Sequence, residues 1–311
     1  MKKTIAINRE MVRGIIQRRA RDAHKGDYGK ILIFAGSSGM AGAAALAARG
    51  ALRSGAGLVR LAATDQLTPI LQVLVPEATC RPRVFTAAVL AEYQAVIAGP
   101  GLGCADENIA ALTSLIKYTK GCLVLDADAL NLIAAQPQLM GELTKRSAGT
   151  VLTPHVGEAA RLLGQRPSTI NANRMAALRR LVAKTGAVTV LKGAGTLIGL
   201  PTGQVFVNST GNPGMATGGS GDVLAGVIGS LAGQDQTPGQ AAVAGAYLHG
   251  LAGDLASETF GEYGLMAGDI ADWIAIAIRE TLSDDYGEVE YHEIRGDLNP
   301  EPETERNRVL Q

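Results

Sequence analysis

The sequence predicts an α/β fold, a mostly parallel central sheet with helices on both faces, and three observations carry that expectation. Short continuous apolar runs recur along the chain, which is how strands buried on both faces read. Between them lie stretches of helical length and spacing, and strand–helix alternation of this kind builds a parallel sheet. The chemically distinctive residues fall where the runs end, at the carboxyl edge where open sheets of this class bind ligands.

Taken in order, residues 9–21 place Val12, Ile15 and Ile16 among arginines, the pattern of a surface helix. Ile31 to Ala35 is the first strand, Ala41 to Leu52 an alanine-rich helix, and Leu58 to Ala62 the next strand. Gly36, Gly39 and Gly42 between strand and helix are spaced GxxGxxG rather than GxGxxG, and no acidic residue closes the following strand, so a dinucleotide fingerprint is not met. Ala95 to Ala98 runs into GPGLG, Leu123 to Leu125 into DADAL, Thr150 to Leu152 into TPHVGE, and Val188 to Leu191 into KGAGT. Helices are expected over 106–118, 128–134, 156–164 and 171–185, and a hairpin over Thr196–Gly199 and Gln204–Val207. Two more helices, 238–257 and 268–282, complete the fold. Residues 1–283 are expected to form one large domain. Residues 284–311 carry nine acidic residues against three basic ones and two prolines, and are expected to be a polar tail.

Between the hairpin and the last helices lies Gly211 to Gly233, GNPGMATGGSGDVLAGVIGSLAG, a glycine-rich loop feeding a buried helix. Gly218, Gly219, Ser220 and Gly221 can turn backbone N–H groups toward one point, and a helix N-terminus adds partial positive charge there. That is an anion site, yet Asp222 stands in it. A carboxylate beside a phosphoryl group fits a base that takes the proton from a nucleophilic hydroxyl. An Asp in the first turn is also ordinary helix chemistry.

Bulk composition narrows the partners. Aromatic residues are only 4% of the chain against 39 glycines, so the core is built from small aliphatic side chains and helices can approach the sheet closely. A formal net charge of zero gives no electrostatic footprint for nucleic acid or an acidic membrane, which leaves small molecules. Cys80, Cys104 and Cys122 are scattered, with no CxxC and no disulfide or zinc framework. The N-terminus lacks the apolar core of a signal peptide and no uninterrupted apolar run is long enough to span a bilayer, so a cytoplasmic location is expected.

No Walker A sequence occurs, so a nucleotide would bind through Lys192 with its following glycines and the GGSGD loop. At this point the chain resembles the ribokinase-like fold and, within it, the ADP- or ATP-dependent NAD(P)H-hydrate dehydratases, which repair hydrated nicotinamide cofactors. The resemblance covers about residues 10–282 and rests on HKGDYGKILIFAGSSGMAGAAALAARGALRSGAGLV, GPGLG, LDADAL, TPHVGE, LKGAGT and GNPGMATGGSGDVLAG in that order. The GGSGD loop alone would match many sugar and vitamin kinases; the HKGDYG opening, GSSGMAGAA and TPHVGE are similar to the dehydratases.

The resemblance implies that Asp222 contacts the hydrated nicotinamide and acts as base, and that Ala43, Gly103 and His155 contact the same substrate. It implies that Gly218 to Gly221 form the anion hole and that Lys192, Gly193, Ala194, Gly195 and Thr196 line the nucleotide site. The activity implied is ADP-dependent dehydration of the S epimer of hydrated NADH or NADPH, with Mg2+, ADP as donor and ATP as an alternative donor. A homotetramer and a separate epimerase are implied too, since many relatives are fused to an epimerase domain for which this chain shows no room. A ribokinase-like kinase of a vitamin precursor or sugar is the rival reading, and a nucleotide-binding sensor without turnover is a second. Several side chains stay open between roles. His155 could cap the helix after TP; Asp126, Asp128 and Glu158 could cap helices or hold Mg2+ through water; His249 fits a satisfied core histidine; and Lys192, at the end of a buried strand, calls for an anionic partner.

Overall fold

The computed structural model describes residues 4–283; the acidic tail lies outside the described residues. Ten strands form one sheet: β1 (Thr4–Ala6), β2 (Lys30–Phe34), β3 (Leu58–Ala62), β4 (Thr79–Arg81), β5 (Ala95–Ala98), β6 (Cys122–Leu125), β7 (Thr150–Leu152), β8 (Val188–Leu191), β9 (Leu197–Gly199) and β10 (Val205–Val207). The helices before the fifth strand are α1 (Arg9–Ile15), α2 (Ala41–Arg53), α3 (Thr68–Leu74) and α4 (Ala87–Leu90). Those of the middle are α5 (Glu107–Tyr118), α6 (Ala127–Ala135), α7 (Pro137–Lys145), α8 (Val156–Leu163), α9 (Pro167–Ala172) and α10 (Arg174–Thr185). After the hairpin come α11 (Ser220–Gly233), α12 (Pro238–Gly264) and α13 (Ala267–Leu282).

The sheet order is β1-β10-β9-β8-β7-β6-β5-β2-β3-β4, and every pairing is parallel except those of β9 with β8 and β10. Residues alternate between two cores, as a sheet covered on both faces requires. Ile31, Ile33, Ile97 and Val124 point to one side, against α2, α11, α12 and α13. Leu32, Phe34, Val96 and Leu123 point to the other, against the middle helices.

Small residues bring the helices together on the first side. An added Cβ on Gly226 would collide with the Ala47 carbonyl, and one on Gly50 would sit 2.5 Å from that of Val223, so α2 and α11 touch backbone to backbone. This close approach is where the glycine and alanine content is spent, and it fixes the height at which α11 presents its first turn to the site.

Several expected boundaries differ. The first helix stops at Ile15 instead of residue 21: Ile16 is extended and buried, and the Gln-Arg-Arg-Ala-Arg run beyond it has no apolar face to hold another turn. The first buried strand runs from Lys30 to Phe34, one residue earlier than expected. The stretch 171–185 is broken at Asn173, whose side chain caps α10 by accepting from the Ala176 amide at 2.9 Å. The stretch 238–257 continues to Gly264 across a non-helical Gly261. The short elements β1, β4, α3 and α4 and the helix α7 were not anticipated.

Candidate active site

Parallel pairing lays the ends of β6, β7 and β8 side by side, with Leu125 opposite Leu152 and Leu152 opposite Thr189. The next residues therefore meet. Asp126, almost fully buried, accepts from Thr153 Oγ1 at 2.7 Å and from Lys192 Nζ at 2.7 Å, both at Oδ1. Lys192 Nζ also lies 4.0 Å from Glu158 Oε2. The anionic partner that Lys192 calls for is thus a carboxylate of the chain itself. Burial alone would lower the Lys192 ammonium, but Asp126 and Glu158 outweigh it and the net direction is upward.

The chain bends sharply to make this cluster. Ala127 takes a left-handed φ of 47° directly after Asp126, an uncommon conformation for a residue with a Cβ. Gly99, at φ 125°, has no room for a side chain because the Asp126 carbonyl occupies the place of its Cβ. A strained turn and a glycine packed against it aim the β6 end at the cavity.

Asp222 lies in the first turn of α11, which starts at Ser220. Burial, then the Asp126 carboxylate, push its acid up from 3.8 to about 7; Lys192 offsets part of this, and Asp128 and Glu158 add to it. A Cβ on Gly221 would sit 3.1 Å from Lys192 Nζ, which shows how closely the ammonium approaches the backbone of this turn. His249, buried on α12, donates from Nε2 to the Ser220 carbonyl at 2.9 Å and so pins the start of the helix. Burial drives its pKa down to about 4, and it stays neutral. It is the satisfied core histidine that its apolar surroundings indicate.

These residues border a cavity of about 760 Å³ whose lining includes Asp126, Lys192, Thr196, Asn212, Gly221 and Asp222. Its lining also takes in His155, Glu158, Gly193, Ala194, Gly195 and Ser220, so most of the expected site residues are together. Gly218 and Gly219 are not in that lining. Gly219, at φ 92°, is the N-cap residue of α11, and an added Cβ there would meet Leu46 Cδ1. The Ser220 amide turns back to the Thr217 carbonyl at 3.4 Å. The left-handed turn at Gly219 thus also serves helix packing, by leaving room for Leu46.

Ala43 and Gly103 are not in the cavity lining. A Cβ on Gly101 would lie 2.7 Å from that of Ala43, and Ser37 Oγ donates to the Gly101 carbonyl at 2.9 Å. The Gly103 amide donates to Asp128 Oδ2 at 2.8 Å, and Asp128 continues through Asn131 to Arg161. Asp128 thus holds the GPGLG loop rather than capping α6.

His155 caps α8: its Nδ1 accepts from the Gly157 and Glu158 amides at 2.9 and 3.3 Å, while Glu158 accepts from the His155 amide at 2.8 Å. Burial and then Lys192 lower the His155 pKa, in keeping with an imidazole that accepts at Nδ1. Burial raises that of Glu158. Among the described residues no group of three or more His, Cys, Asp or Glu side chains could hold a metal ion by itself. No described helix is long and apolar enough to cross a membrane.

Three contributors escape sequence reasoning: Thr153, which anchors Asp126; Asp254, which accepts from the Gly211 amide at 2.8 Å and Asn212 Nδ2 at 3.0 Å; and Arg174. Asp254 and Arg174 lie outside the motifs, and Thr153, though it opens TPHVGE, carries no chemical signature of its own. Only the polar run Asn208 to Asn212 hints that its loop lines something.

Comparison with known proteins agrees with this geometry. The profile of a family described as NAD(P)H-hydrate dehydratase (Carb_kinase) matches residues 31–275. The ADP-dependent (S)-NAD(P)H-hydrate dehydratase of Neisseria meningitidis is 40% identical over 277 residues, covering 86% of this chain and 92% of that one. The bifunctional NAD(P)H-hydrate repair enzyme Nnr of Moorella thermoacetica is 41% identical over 280 residues, 86% of this chain and 52% of that protein. The chain therefore spans about half the length of the bifunctional relatives it matches. Among solved structures, the ADP/ATP-dependent NAD(P)H-hydrate dehydratase of Bacillus subtilis, co-crystallised with ATP/Mg2+, superposes with a TM-score of 0.80 at 30% identity, covering 90% of this chain and all of that one. With its ribokinase-like α/β sheet and the motifs at its strand ends, the chain belongs to the NAD(P)H-hydrate dehydratase family.

Proposed function

We propose that the protein dehydrates the S epimer of hydrated NADH and NADPH with ADP as phosphoryl donor, yielding NAD(P)H, AMP and phosphate. The observation that carries this reading is Asp222: a carboxylate with its acid raised to about 7, at the start of α11, on the same cavity as the Lys192 loop. A base works best when its pKa lies near the working pH, because it is then both ionised and able to hold the proton it takes.

Hydroxide is a poor leaving group, so the C6 hydroxyl of the hydrated ring is first converted to a phosphate ester. Asp222 takes the hydroxyl proton as oxygen attacks the terminal phosphorus of ADP and AMP departs. Amides of the Gly218–Gly221 turn hold the oxygens of the moving group, a role worth about 2.7–4 kcal/mol per well-placed donor. The ring nitrogen then drives loss of phosphate from C6 as a proton leaves the adjacent carbon, restoring the dihydronicotinamide. Lys192, Gly193, Ala194, Gly195 and Thr196 receive the nucleotide; Ala43, Gly103 and His155 receive the hydrated cofactor.

Mg2+ fits the donor set. Asp126, Glu158 and Asp222 oppose the single ammonium of Lys192, and a polyphosphate entering there adds negative charge to a site already in anionic excess. Asp126 and Glu158, together with phosphate oxygens, would hold the ion, a hard cation with a preference for oxygen. When bound it neutralises charge on the transferring group.

Residues 1–283 form the enzymatic unit, cytoplasmic and assembled as a homotetramer, and a separate epimerase converts the R epimer into the S epimer that this site consumes. The test is absorbance near 340 nm after mixing the protein with hydrated NADH and Mg2+, in parallel with ADP, ATP or no nucleotide. Nucleotide-dependent recovery of absorbance is expected, fastest with ADP. Consumption of nucleotide only when another alcohol is supplied would replace this reading with that of a kinase, and binding without turnover would replace it with that of a sensor.

A further inference from the structure

Arg174 begins α10, outside every motif of the chain, and its guanidinium is given over to one loop. It donates to the Ala194 carbonyl at 2.5 Å from Nη1, and to the Leu191 and Lys192 carbonyls at 3.1 and 3.4 Å from Nη2. Its Nε has no hydrogen-bond partner, and among the described residues no carboxylate pairs with it. The side chain is therefore oriented by these carbonyls alone.

The consequence follows from peptide geometry. In a trans peptide the C=O and the next N–H point in opposite directions. With the Lys192 and Ala194 carbonyls drawn toward Arg174, the amides of Gly193 and Gly195 are directed away from it. Both glycines line the cavity, and neither amide has a backbone acceptor among the described residues. Gly193 at φ 138° and Gly195 at φ 60° take conformations that a side chain would resist, which is how successive amides are made to face one anion.

We infer that Arg174 is a positioning residue of the nucleotide site: by holding the carbonyls of Lys192 and Ala194 on its own side, it turns the N–H groups of Gly193 and Gly195 toward the cavity, where they receive anionic oxygens of a nucleoside polyphosphate. The inference rests on the proposed function only in taking that loop to be nucleotide-binding. Arg174 touches neither substrate nor reacting atoms, so its effect belongs in nucleotide affinity and not in the chemical step. A lysine cannot replace it fully, since one ammonium cannot fork across carbonyls three residues apart as a planar guanidinium does.

The test is calorimetric binding of ADP to the full chain, wild type against Arg174→Met and Arg174→Lys, with turnover at saturating nucleotide and thermal melting in parallel. For Arg174→Met the ADP Kd is expected to rise at least about tenfold, the scale of one charge-assisted hydrogen bond. The kcat at saturating ADP should stay within about twofold, and the KM for hydrated NADH should not move. Arg174→Lys should show a smaller rise in the same direction, and it serves as the readout if the methionine variant does not fold. Added guanidinium at millimolar concentration should lower the ADP Kd of Arg174→Ala and leave that of the wild type unchanged. Wild-type affinity in both variants, or a loss of kcat and melting temperature with no change in Kd, would overturn the inference. Failure of the wild type itself to bind nucleotide would overturn the proposed function along with it.

Discussion

Replacing Asp222 by asparagine should abolish turnover and at the same time stabilise the fold, by an amount that depends on pH. The carboxylate ionises near 3.8 in the unfolded chain and near 7 in the folded one, because folding buries it beside Asp126. An acid whose pKa is raised by folding contributes its full stability below the unfolded value and loses it as pH rises toward the folded value. The loss therefore accumulates between about pH 4 and pH 7 and is constant above. The interval is about three pH units at about 1.36 kcal/mol each, an upper figure of about 4 kcal/mol. Screening by solvent at the cavity mouth reduces it to roughly half. Asparagine has the same shape and no charge to bury, so the variant should equal the wild type near pH 4 and exceed it by about 2 kcal/mol at pH 8. Urea denaturation at pH 4, 6 and 8 measures the gain; absorbance near 340 nm with hydrated NADH and ADP measures the activity, and calorimetry checks that ADP still binds. Turnover within tenfold of wild type would remove Asp222 as the base. An equal difference in stability at all three pH values would show that folding does not raise the pKa of Asp222, by burial or by neighbouring charge.

The same ionisation sets the pH profile of the wild type: kcat/KM should fall about tenfold per unit below pH 7 and level off above, and a limb near pH 4 would contradict the raising of Asp222 by burial and by Asp126. Lys192→Met leaves the Asp126 carboxylate buried without its cation, and should cost about 3–5 kcal/mol in urea denaturation. Adding Asp126→Asn to that variant should recover most of the loss, and a double variant as unstable as the single one would argue that the pair is not the cause. Gly226→Ala should force α11 away from the Ala47 carbonyl, costing about 1–3 kcal/mol and lowering kcat, because the first turn of α11 moves with the helix. A fully active, fully stable Gly226→Ala would refute the backbone contact.

How much of this was legible in the sequence depended on whether a residue's role was local. The strands Ala95–Ala98, Thr150–Leu152 and Val188–Leu191 were read to the residue, because each is buried along its whole length and gives way at once to a polar or glycine-rich loop. The three-residue β1 and four-residue α4 carry too little pattern to be read at all. Glycine was legible only as a demand for room. At Gly221 that room admits Lys192, whereas at Gly219 it admits Leu46, and nothing in the four-residue run tells the two apart. Arg174 and Asp254 act by gripping backbone on distant loops, which leaves no spacing to recognise.

The bond between Lys192 and Asp126 makes the physical point. From the lysine's end the expectation is electrostatic: a cation after a buried strand must have an anion. From the aspartate's end it is conformational: a carboxylate just before a helix is ready to cap it. Asp126 does occupy the cap position of α6, yet its side chain makes no cap bond, because Thr153 and Lys192 share its Oδ1 instead. The first expectation succeeds because desolvation of an unpaired charge is costly wherever the chain goes. The second fails because a cap, worth about 1 kcal/mol, yields to a buried ion pair when parallel strands bring the partner within reach. Where a local preference and a buried charge compete for one side chain, the charge decides, and the strand ends of this sheet are where that competition is concentrated.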